Sequence, residues 1–141
     1  YNIAMSTRFI TVLLLHQTAE ESHYDWLMED PNLQNDPNAR LWTARLSVRS
    51  DQWQRLGQWT LQPIGHHRRT YLTYEGPVSK ERGTVQRVDK GWFTCDHWTD
   101  QAIEVTVHMK HFTGSITMVP LETGQWLAQV KSWTRLSFIR Q

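Results

Sequence analysis

Residues 102–109, AIEVTVHM, set Ile103, Val105, Val107 and Met109 against Glu104, Thr106 and His108 in alternation. Successive side chains of an extended chain point to opposite faces, so this stretch reads as a β-strand with one buried side. Neighbouring stretches extend the same reading in both directions. RFITVLLL at 8–15 joins β-branched and aromatic residues in a short apolar run, a buried strand that ends at His16. HYDWLMED at 23–30 begins another strand near His23, after QTAEES, a helical turn or loop. EDPNLQNDPNA at 29–39 concentrates Pro, Asn and Asp and reads as a connecting loop. LWTARLSVR at 41–49 is a strand. WQRLGQWTLQPIG at 53–65 reads as an extended element broken at Gly57 and closed by Pro63. RRTYLTYEG at 68–76, GTVQRVDKGWF at 83–93, SITMVPL at 115–121 and QWLAQVKSWTRLSF at 125–138 complete roughly eight to ten strands. Helical periodicity of useful length is missing, so the chain predicts an all-β barrel or sandwich.

The length of 141 residues suits one core and leaves little room for a second domain. Hydrophobic residues at 39% and eight Trp supply the packed interior, and the Trp side chains are expected mostly in it. The net charge of +1 conceals a bias: Arg provides most of the 15 basic residues. Its planar fork matches phosphate, but without a basic excess any polyanion contact is expected to be local. Cys95 is the single cysteine, which rules out an internal disulfide or a cysteine-cluster metal site and makes a cytoplasmic, reducing setting the expectation. FITVLLL is too short to span a bilayer, and no membrane partner is expected. Residues 1–4, YNIA, precede Met5 and read as an appended remnant, with one domain over 5–141.

On a strand, His23 and Asp25 share one face with Leu27, while Tyr24, Trp26 and Met28 share the other. Together with His16 and His67 they offer two or three imidazoles and a carboxylate, a ligand set that suits a divalent ion such as Mn²⁺ or Zn²⁺. The spacing is equally that of a hydrogen-bonded structural pair. If 66–76 is extended, His67, Arg69 and Tyr71 fall on one face and could clamp a phosphate, or lie as a solvated edge. His66, His97, His108 and His111 carry no pattern, and His108 sits on the polar face of its strand.

Three segments in order, HQTAEESHYD, LWTARL and HHRRTYLTYEGPVSKERGTVQRVDKGWF, resemble motifs of the 3′-phosphoesterase domain of bacterial DNA ligase D, and in particular its small standalone relatives. The resemblance covers roughly residues 8–130. It implies an all-β fold with minor α content, a compact single-domain β-barrel with short helical turns. It implies a divalent metal, most of all Mn²⁺, on His16, His23 and Asp25, with His67 and Tyr71 as the catalytic pair against phosphate. Two departures stand out. The interval from His16 to His23 is one residue longer than in the family, and Leu27 occupies the place of an Arg that clamps phosphate. Arg45 and Arg69 are the expected phosphate-binding substitutes.

The activity implied is removal of a 3′-phosphate or 3′-ribonucleotide from DNA or DNA/RNA primer ends during repair, with those ends and other end-joining proteins as partners. The alternative of another class is a non-catalytic module that binds nucleic-acid ends within a repair complex and has lost turnover with the Arg at position 27. A small barrel with a structural metal and an unrelated ligand is a third reading.

Overall fold

The structure is a computed structural model and describes residues 7–133; the expected remnant at 1–4, Met5 and positions 134–138 of the last expected strand lie outside it. Nine strands form among the described residues: β1 Phe9–Gln17, β2 Ser22–Met28, β3 Leu41–Leu46, β4 Gln58–His67, β5 Gly76–Pro77, β6 Thr84–Trp98, β7 Ile103–Met109, β8 Thr113–Pro120 and β9 Trp126–Trp133. Their order in the sheet is β1-β2-β3-β4-β9-β8-β7-β6-β5, and β1 also pairs with β6. Eight antiparallel strands therefore close a barrel, with the two-residue β5 appended outside on β6. Closure leaves few strand edges unpaired.

The alternation in 102–109 is seen directly: Ile103, Val105, Val107 and Met109 are buried, with their neighbours half-buried or exposed. Inward residues of all eight barrel strands merge into one core with Leu13, Trp26, Ala44, Leu61, Phe93 and Met118. Five Trp side chains, 26, 42, 53, 59 and 98, are buried there. Trp92 and Trp126 are partly exposed, so the expectation of a Trp-filled interior holds for most but not all of them.

Two sequence expectations need correction. WQRLGQWTLQPIG is not one extended element: Trp53–Leu56 is a helical turn, α1, and the strand begins after it at Gln58. Trp53 causes the difference, because its fully buried indole stacks on Trp59 at a centroid distance of 4.5 Å and plugs the barrel. A helical turn is what carries it inward. Gly57, at φ 75°, then turns the chain out of α1. Pro63 does not close the strand. It lies within β4 opposite Ala44, beyond Leu61, where pairing with β9 has ended and no partner needs its missing N–H.

The second correction is RRTYLTYEG, expected as a strand. Arg69–Leu72 is a 3₁₀ turn, so His67, Arg69 and Tyr71 do not share a strand face. Residues 68–83 instead cross the outside of the barrel as a strap. Tyr71, Leu72 and Val78 cover a second apolar cluster of Val12, Leu14, Leu27, Leu41 and Val85 on the outer faces of β1, β2, β3 and β6. This outer layer is why β1 reads as a continuous apolar run: both of its faces are covered. Among the described residues, no helix is long and apolar enough to cross a membrane.

Candidate metal centre

β1 and β2 form a hairpin in which His16 lies directly opposite His23 and Leu14 opposite Asp25. His23 and Asp25, two residues apart on β2, share its outer face with fully buried Leu27, while Tyr24, Trp26 and Met28 face the other way. The spacing between the two His is taken up by the loop 18–21. There Thr18 N–H donates to the Glu21 carbonyl at 2.8 Å and the Thr18 hydroxyl accepts from the N–H groups of Glu20 and Glu21. The longer interval therefore leaves His16 and His23 in register.

His16, His23 and Asp25 each offer a ligand atom within 4.8 Å of the others, and the group could hold a metal ion. Asp25 is 1% exposed and His23 8%. Asp25 Oδ2 lies 3.6 Å from His16 Nδ1, and Asp25 Oδ1 lies 3.2 Å from His23 Nε2. That second contact is short in distance but lacks hydrogen-bond geometry: both His23 nitrogens and Asp25 Oδ1 are buried with no hydrogen-bond partner among the described residues. Buried polar atoms are rarely left so.

The tautomers sharpen the point. His16 Nε2 sits 2.7 Å from the Arg82 carbonyl and must donate to it, so in the neutral ring Nδ1 turns a lone pair toward Asp25. His67 repeats the arrangement from β4. Its Nδ1 donates to the Gly65 carbonyl at 3.0 Å, which leaves the Nε2 lone pair 3.8 Å from Asp25 Oδ2. Lone pairs converging on a carboxylate form a donor set that a divalent metal ion could bridge. For His23 a proton is disfavoured: burial, with Arg45 and His16 adding to it, holds its pKa below the usual imidazole value against the opposing pull of Asp25 and Glu21.

The centre opens into a hollow of about 390 Å³ lined by His16, Asp25, His67 and Tyr71. Tyr71 reaches it from the 3₁₀ turn, with its ring 5.6 Å from that of His67, so the strap reunites the pair that a strand was expected to align. Four Arg residues line the hollow: Arg40, Arg45, Arg68 and Arg82, the last with its guanidinium turned to Ser79. Arg45 stands opposite Asp25 on β3 and reaches Glu21 at 3.9 Å. Arg69 is directed elsewhere. Its Nη2 donates to Glu29 at 2.6 Å, and it lines a separate hollow beside Asp30 and Asp36. The 3₁₀ turn gives the inward place to Arg68. Arg40, Arg68 and Arg82 were not singled out from the sequence; the Arg bias was their only trace.

Leu27 has 0% exposure and packs within the outer apolar cluster beneath the strap. No guanidinium reaches the hollow from that position. Comparison with models of known families and with curated proteins returns no match to this chain.

Proposed function

We propose that the protein is a metal-dependent phosphoesterase that trims 3′ ends of DNA or of DNA/RNA primers, removing a 3′-phosphate or a 3′-ribonucleotide, in DNA repair. One observation carries the reading: buried nitrogen and oxygen atoms of His23 and Asp25, without a hydrogen bond among the described residues, converge with His16 beneath a hollow lined by four Arg. The order of the three sequence segments that resemble the ligase D phosphoesterase supplies the substrate class.

His16, His23 and Asp25 are the ligands in this proposal, and Mn²⁺ the metal, with Zn²⁺ or another divalent ion as the alternative. Such an ion, when bound, polarises a phosphoryl oxygen and acidifies a water. The chain's own residues do the rest. Arg45 and Arg68 at the rim present forked donors to the non-bridging oxygens of the ester. His67 is held by Gly65 through Nδ1, so it takes up or delivers a proton only at Nε2, the atom that faces the centre. The Tyr71 hydroxyl has no hydrogen-bond partner among the described residues and is free to donate to the phosphate or to the departing oxygen. Arg82 acts through its backbone by fixing the His16 ring.

The test is phosphate release from a primer-template ending in a 3′-phosphate, with Mn²⁺ and with chelator, comparing the parent with His23→Ala. Metal-dependent release that the substitution removes supports the proposal. The buried Leu27 favours a second reading, a module that binds nucleic-acid ends without turnover. It wins if the folded parent retains DNA ends and releases no phosphate.

A further inference from the structure

A second basic surface lies on the outside of the barrel, across β6 and β7 and away from the metal centre. A hollow of about 490 Å³ is lined there by Arg87, Lys90, His108, Lys110 and His111, together with Asp89. Asp89 forms no ion pair with these cations among the described residues. Its carboxylate is 3% exposed and is spent on the Ser50 hydroxyl at 2.5 Å and on the backbone N–H groups of Lys90, Lys110 and His111 at 2.8, 2.9 and 3.1 Å. These bonds fasten the turn after β7 to β6, which sets Lys90 and Lys110 side by side. Both side chains are exposed, and neither has an acidic partner among the described residues. Arg87 donates to the Leu72 carbonyl at 3.4 Å and likewise has no carboxylate on its guanidinium.

A stacked column borders the same hollow. The His108 ring lies on Trp92 at 3.9 Å and 16°, and the Arg8 guanidinium sits 3.8 Å from the same indole. β1 and β7 flank β6 on its two sides, so Arg8 and His108 approach Trp92 from opposite directions. His108 is the member that also lines the hollow, and it ends the column there. Its pKa is held down by burial and by Arg8, so at neutral pH the ring is an uncharged stacking surface.

We infer that this hollow binds single-stranded nucleic acid, with backbone phosphates on Lys90 and Lys110 and a base stacked on His108 at the end of the Arg8–Trp92–His108 column. Cations that lack acid partners beside a planar ring supply the two contacts that such a strand needs: charge for the backbone and a π-face for the base. The site stands on its own residues and does not depend on the chemistry of the metal centre.

The test is binding of a labelled oligothymidylate to the full chain in chelator at low salt, with inorganic polyphosphate as a base-free probe. The Lys90→Glu/Lys110→Glu double variant should lose about ten-fold or more in affinity for both probes. His108→Ala should lose about five-fold or more for the oligonucleotide alone. Both lysines are exposed, so thermal unfolding of the charge-reversed protein should match the parent. Full affinity in a folded double variant overturns the inference. So does equal weakening of both probes by His108→Ala, or a parent that binds no oligonucleotide. Because chelator is present throughout, the result is separate from the phosphate-release assay, and either reading can fail alone.

Discussion

Adding a divalent metal to the metal-free protein should raise its melting temperature, and His23→Ala should remove the gain. The magnitude follows from linkage. A ligand at a hundred times its dissociation constant, bound only by the folded state, stabilises it by about 2.7 kcal/mol. For a domain of 141 residues that corresponds to a shift of about 10 °C. The metal-free protein carries the complementary penalty, since both His23 nitrogens and Asp25 Oδ1 are buried without a hydrogen bond among the described residues. Truncating His23 in chelator removes two of those atoms along with the imidazole packing, so its cost there should be small, about 1 kcal/mol. In saturating metal the same substitution should cost several-fold more. The assay is differential scanning calorimetry of parent and variant, each with chelator and with Mn²⁺, Zn²⁺ or Co²⁺. Identical melting temperatures under all conditions, or a full metal shift retained by His23→Ala, would refute the reasoning from orphaned ligand atoms.

Other substitutions probe the surroundings of the centre. Leu27→Arg should not restore a phosphate clamp; it forces a guanidinium into the apolar cluster under the strap and should destabilise by about 3 kcal/mol or more in urea unfolding. Arg68→Ala should weaken binding of a phosphate-ended oligonucleotide at the metal hollow by about ten-fold with little change in stability. Arg69→Ala should spare that binding and cost at most about 1 kcal/mol of stability through the lost Glu29 pair, which is partly exposed. Acid should destabilise the metal-free protein. His23 and His108 have folded pKa values below 6.5, so as pH falls below that value the unfolded chain takes up protons that the folded one refuses. The urea midpoint should therefore drop between pH 7.5 and 5.5, and a midpoint that rises instead would contradict the burial of these rings.

The barrel was legible because its strands are half-buried and keep period two, as 103–109 shows. Where two rules competed, the sequence read less well. The helical turn at 53–56 is dictated by Trp53 stacking on Trp59 inside the barrel, a tertiary contact that overrides local pattern. The strap at 68–83 is held by its apolar contacts with β1, β2 and β6, which no local periodicity announces. For the centre, strand alternation put His23 with Asp25, while His16 joined them only in a wider set with His67 and through the family resemblance; that all three share one hairpin is seen in the structure. The Arg rim could not be grouped from the sequence, because it gathers side chains from β3, the strap and the loops beside them.

The hairpin origin of the three candidate ligands bears on how the molecule assembles. His16, His23 and Asp25 meet through a single local turn, whereas the Arg82 carbonyl that orients His16 arrives from 66 residues away. Short loops close at a lower entropic cost than long ones, so the ligand cluster belongs to the early, fast part of folding and barrel closure through β1 and β6 to the slow part. On the proposed metal role, the ligand set would be complete on the hairpin before the strap brings the Arg82 carbonyl to His16.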